Sequence, residues 1–289
     1  WIMGMEIYEY DKVPPCAESF EVFDRYTEIP AINYNSYGKG LCRRRVRLEN
    51  ISDAFSIGEL EDDFHHFRVE IRHSQNKVTH IQGTTLRAPW STCSEVNEPL
   101  QEIIGLQLSK DSTSIGSYGS PTKNCTHLFD LTGLLVAHIS GEERNKQYDL
   151  AITDPVNGFQ RLYLWKNGVS LLKWEVQDSV VVAPKALEGV SLQGKFIEWA
   201  KANFDEVTVE GAIALRRMIH ISMGRGTNLD QVELGTEHVD GPKGRCYTYS
   251  ENVLFRAKRE KKSVRDFSSP DHAALLLSDM NLRKDQTIK

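Results

Sequence analysis

Phe64-His65-His66-Phe67-Arg68-Val69-Glu70-Ile71-Arg72 alternates apolar Phe67, Val69 and Ile71 with charged Arg68, Glu70 and Arg72. A period of two turns one face of a strand toward a core and the other toward water. Ser74-Gln75-Asn76 follows as a polar turn, and residues 77–85 supply a returning strand, so the stretch predicts a hairpin. Upstream, Arg43, Arg45 and Arg47 alternate with Arg44, Val46 and Leu48, a weaker strand signal, and residues 54–59 give another. Together these four segments predict an antiparallel meander.

Helices should follow. Pro89-Trp90-Ser91-Thr92 leads into a predicted helix over 94–104 that Gly105 closes. A second is predicted over 125–140, with Asn124 as its N-cap and Gly141 as its stop. The later half repeats the theme, with strands over 148–153, 159–165, 170–176 and 179–182, then helices over 193–204 and 207–223. Lys166-Asn167-Gly168 is the clearest hairpin turn, because Asn-Gly tolerates positive φ. Strands, helices, strands, helices predicts an α+β fold of curved antiparallel sheet covered by helices, in two lobes. The expected division is an irregular aromatic and Pro/Gly-rich arm over 1–40, a first lobe over 41–145 and a second over 146–289, with a frayed end at 284–289.

The chain has 289 residues, 40% of them hydrophobic, which suffices for a sizeable core. Its richest apolar run, 128–139, is interrupted by Asp130, Thr132, Gly133 and His138, so no membrane span is expected. No basic region followed by an apolar run marks a signal peptide. Five scattered cysteines argue for a reducing, cytoplasmic setting over a disulfide scaffold. A net charge of -5 gives nucleic acid no concentrated positive surface to bind. The basic runs 43–45 and 258–262 read as a solvated strand edge and a solvated helix end.

Chemistry concentrates around two cysteines. Cys93 and Cys125 both stand at predicted helix N-termini, where backbone N–H groups favour a thiolate. Cys125-Thr126-His127 adds an imidazole two residues on, which converges with the thiol only if Cys125 lies in the cap. His65 and His66 are adjacent, so the pleat sends one to each face and only one can join a given site. Cys93, Cys125 and His127 with one of these histidines would suit Zn²⁺, although no recognised zinc spacing occurs. The plainer reading is buried thiols and hydrogen-bonded histidines. Arg87, at a strand end beside Trp90, could hold a carboxylate, or be a surface arginine. Asp62 and Asp63 could supply a base, or be a solvated acidic turn. Gly224-Arg225-Gly226 reads as a helix C-cap. Neither a Gly-x-Ser-x-Gly elbow nor a P-loop is present.

From Leu41 to about Ser140 the chain resembles domain-of-unknown-function family 2889. The resemblance rests on Arg43-Arg44-Arg45, the strand with His65, the approach to Pro89, Trp90 and Cys93, then Leu100, Gly105 and Cys125-Thr126-His127-Leu128. It implies a cytoplasmic accessory or catabolic enzyme of small organic molecules. His66 departs from the family, which usually places an acid after the histidine; if that acid orients the imidazole, its role passes here to Asp62 or Asp63, or is absent. The expected function is a cofactor-independent or zinc-assisted lyase, isomerase, cyclase or hydrolase acting on a largely apolar substrate. His65 or His127 would be the acid–base group, Asp63 a base, Arg87 the anion holder, and Trp90 and His66 substrate contacts. The competing reading is a non-catalytic ligand- or protein-binding module, with the arm completing a homodimer.

Overall fold

The computed structural model describes residue 29, residues 31–238 and residues 241–278. Most of the predicted arm, its part in a homodimer, and the end at 284–289 lie outside the described residues. Eight strands form one antiparallel sheet: β1 (Leu41–Ser52), β2 (Phe55–Asp62), β3 (His66–Ser74), β4 (Lys77–Arg87), β5 (Asn145–Thr153), β6 (Phe159–Lys166), β7 (Val169–Gln177) and β8 (Val180–Ala183). Their spatial order is β4-β3-β2-β1-β5-β6-β7-β8. Each set of four is a meander, and β1 pairs with β5 from Leu41↔Thr153 to Glu49↔Asn145, so one sheet runs through both. The α+β reading holds.

Turn chemistry sets the registers. Gln75 and Asn76 (φ 49° and 60°) join β3 to β4, and Asn167 and Gly168 (φ 50° and 79°) join β6 to β7. Positive φ at both central residues matches the twist of a tight hairpin.

The principal helices cover one face. The helix α1 is short (Asn97–Leu100); α2 (Thr126–Ile139) lies over β1, β2 and β3; α3 (Phe196–Asn203) precedes α4 (Glu206–Ser222), which lies over β5, β6 and β7. Almost every residue of α2 from Leu128 to His138 is buried, so its apolar positions face the sheet and also a loop behind it. Its Gly133 permits that loop to approach, since a Cβ there would sit 2.2 Å from the Ser112 carbonyl oxygen. Among the described residues, no helix is long and apolar enough to cross a membrane.

Three local expectations change. The predicted helix over 94–104 is a 3-10 turn (Ser91–Val96), then α1, then a second 3-10 turn (Gln101–Ile103). Cys93 therefore has no α-helix N-terminus to favour its thiolate. The N-cap of α2 is Cys125, whereas the Asn124 amide donates to the Ser120 carbonyl at 3.1 Å. The basic runs are not solvated edges: Arg44, Arg45 and Arg259 are buried, and residues 258–262 contain no helix.

Candidate functional site

Alternation along β2 and β3 decides which side chains meet. Leu60 and Asp62 point toward α2, as do Phe67 and Val69, while Glu59 and Glu61 point to the opposite face. Arg44 stands directly across β1 from Asp62, and its guanidinium donates through Nε (3.0 Å) and Nη2 to Asp62 Oδ2. The other oxygen, Oδ1, accepts from the backbone N–H groups of Phe64 and His65, each at 2.8 Å, and from His65 Nδ1 at 3.0 Å. Asp62 is wholly buried. Burial pushes its pKa up, but Arg44, and then His65, more than reverse this and hold it well below the usual carboxylate range.

An ionised carboxylate can only accept, so His65 Nδ1 carries the proton and Nε2 keeps its lone pair. Of the two acids that the sequence offers to orient this histidine, Asp62 is the one that contacts it. His66 points the other way, with Nε2 2.5 Å from Glu59 and Nδ1 3.7 Å from Glu61, and takes no part in this cluster.

The first turn of α2 delivers the second imidazole. The His127 ring stacks on His65 with centroids 3.8 Å apart and planes at 28°. Its Nδ1 lies 3.7 Å from Cys125 Sγ, the convergence expected of a cysteine in the cap. Burial, then the neighbouring cysteines, push the Cys125 thiol well up, so it is protonated and can donate its S–H to Nδ1. In the tautomer that accepts this S–H, His127 Nε2 bears the ring proton, and that atom is buried with no hydrogen-bond partner. Burial lowers the pKa of both histidines; Asp62 partly offsets this for His65, while His65 and Arg44 lower His127 further, to well below its usual value. With that tautomer, two neutral imidazoles present opposite functions, a lone pair on His65 and an N–H on His127.

The remaining candidates lie elsewhere. Cys93 contacts the Thr248 hydroxyl at 3.5 Å, and burial raises its pKa to about 12, so it too is a thiol and the thiolate expectation fails for both cysteines. Asp63 faces away from its neighbour: Arg225 Nη1 donates to it at 2.6 Å, while burial pushes its pKa up to about 7 against that attraction. Arg225 also binds Asp154 at 2.6 Å, so Gly224-Arg225-Gly226 is the seat of a buried ion cluster rather than a simple C-cap. Arg87 donates to the carbonyls of Asp63 (2.9 Å), Ser263 (2.8 Å), Asp62 and His65 (3.2 Å), and so clamps the turn that carries His65. Trp90 Nε1 donates to Tyr249 Oη at 2.9 Å. A cleft of about 380 Å³ is bordered by Arg87 and Trp90 but not by His65 or His127.

Among the described residues, one group of three could hold a metal ion: Asp62, His65 and His127, with ligating atoms within 4.8 Å of one another. It shares His127 and His65 with the zinc set expected from the sequence, with Asp62 where that set had Cys93 and Cys125. Arg44 is not among the site residues expected from the sequence; its signal is its place on β1, paired with Asp62 at the acidic end of β2.

Residues 49–139 match the family model described as Protein of unknown function (DUF2889). The matched segment falls inside the stretch where the sequence resembles that family, and it contains Asp62, His65, Cys125 and His127. Among curated proteins, and among solved structures, none matches the chain significantly.

Proposed function

We propose that the DUF2889 segment carries a proton-transfer site for a small, largely apolar organic molecule, of isomerase or lyase type. The single observation behind this reading is the Asp62–His65 hydrogen bond beside a stacked His127 whose buried Nε2 has no partner. His65 Nε2 would take a proton from carbon next to a carbonyl. The resulting imidazolium is stabilised by Asp62, whose charge Arg44 holds in place. His127 Nε2–H would meanwhile donate to the oxygen on which negative charge develops, a role suited to a neutral imidazole. His65 can return the proton to a different atom, which is isomerisation, or expulsion of a leaving group can complete an elimination. Phe64 and Phe67 beside the rings supply apolar surroundings that strengthen these interactions.

The test has two parts. Purified protein is assayed on a panel of small enones, β-hydroxy ketones and lactones, alongside His65→Ala and His127→Ala. Turnover should vanish in both variants while circular dichroism stays unchanged; turnover that survives both substitutions rejects the site. Independently, the His65 Nδ1 proton should give a downfield NMR signal that disappears in Asp62→Asn.

A divalent ion is the second reading, favoured by the closeness of the three ligating groups. Zinc lies in the plane of an imidazole about 2.0–2.1 Å from its nitrogen. Two rings stacked face to face would have to swing apart to share one ion, which is why proton transfer is preferred. Metal content per chain on protein purified without chelator separates the two: about one zinc per chain, lost in His127→Ala, selects the metal.

A further inference from the structure

The cleft beside β4 is separate from the histidine pair, because neither imidazole borders it. One wall is the end of β4 and the segment after it; the other is residues 260–265. The walls are stitched at their base: Ser91 N–H donates to the Lys258 carbonyl and Glu260 N–H to the Pro89 carbonyl, each at 2.9 Å, and Trp90 pairs with Arg259 as an isolated bridge. The cleft is therefore preformed.

Its charge is one-sided. Arg87, Lys261, Lys262 and Arg265 border it against the lone carboxylate of Glu260. Lys261 is engaged by Glu233, whereas Lys262 is exposed and holds Asp230 only through its backbone N–H, at 3.1 Å. Arg87 is the buried cation of the wall. It is 8% exposed, and its nearest carboxylate oxygen, on Glu61, is 3.4 Å away. Its shorter bonds all go to backbone carbonyls, and its Nε is buried without a partner. The buried Glu61 carboxylate pairs with Arg87 and offsets part of its charge, so the exposed Lys262 ammonium is the principal cation that the cleft offers a ligand. Leu86, Ala88 and Trp90 complete the lining with apolar surface.

We propose that this cleft binds a small organic acid, its carboxylate toward Arg87 and Lys262 and its apolar body against Leu86, Ala88 and Trp90. The probe is benzoate, titrated by calorimetry into the full chain, with inorganic phosphate as the comparison. One benzoate per chain is expected, with weaker binding at higher salt and at least about a tenfold loss in Lys262→Glu. Lys262 stands on the surface, so that variant should fold; Arg87→Met removes the turn clamp as well and serves only as a second check. No saturable benzoate binding, or equal binding by Lys262→Glu, overturns the proposal. Phosphate binding as tightly as benzoate overturns the organic-acid assignment. Turnover on the panel used for the histidine pair is a separate readout, so loss of one site leaves the other standing.

Discussion

At the scale of single residues, the buried pair Arg44–Asp62 is the hinge of the candidate site. Taking two charges out of water is costly unless each is met by the other and by hydrogen bonds, and here Asp62 receives donors on both oxygens. Asp62→Asn leaves Arg44 buried without its counter-charge. It should lower unfolding free energy by about 3–5 kcal/mol, measured by urea denaturation. The pH dependence has a definite sign. Because the folded pKa of Asp62 is depressed, its contribution is fully present above the unfolded value of about 3.9 and is lost as pH falls through the folded value. The gap between wild type and variant should thus hold from pH 7 down to about 4 and close only in stronger acid. A gap already closed at pH 5 would show that the ion pair is not its source. The sequence reading offered Asp62 and Asp63 together but took Asp63 as the base. Adjacent residues at a strand end point to opposite sides, and nothing in one sequence says which side holds the histidine.

At the scale of elements, legibility followed how local the determinants are. The β3–β4 hairpin and the Asn167-Gly168 turn were readable because alternation and positive φ are properties of neighbouring residues. The segment around Cys93 was not, because Pro99 and the contacts of Leu100 and Ile103 with the core break it into short turns, and tertiary packing overrides weak propensity there. The buried basic runs misled for a related reason: a charge pattern does not disclose a partner distant in sequence, such as Asp149 for Arg45 at 2.6 Å. Helix α2 was found, but its glycine looked like a mere interruption. Propensity alone makes Gly133→Ala stabilising by about 1 kcal/mol. The structure reverses the sign, because the new Cβ meets the Ser112 backbone at 2.2 Å and a backbone cannot swing aside as a side chain does. Gly133→Ala should destabilise by about 1–3 kcal/mol; a rise in the urea midpoint would mean that the loop yields freely.

At the scale of the whole molecule, the pairing of β1 with β5 ties the DUF2889 segment to the rest of the chain. Nine residue pairs bridge the two meanders, from Leu41↔Thr153 to Glu49↔Asn145, so neither set of four strands has β1 or β5 as a free edge. An unpaired central strand would expose a row of backbone donors and acceptors, which makes separate unfolding of either half unfavourable. The ion cluster around Arg225 reinforces the tie, joining Asp63 beside β2 to Asp154 just after β5. Cooperative loss of both meanders in one transition is the expected behaviour. Ile152 on β5 is fully buried and paired with Cys42, which makes it the place to probe this. Ile152→Ala should cost about 2–5 kcal/mol. Hydrogen exchange should show the slowest amides of β3 and β6 weakened by the same amount, although β3 lies three strands away in the sheet. Weakening confined to β5, β6 and β7 would instead mean that the halves unfold independently, and that the histidine site can persist on a sheet of four strands.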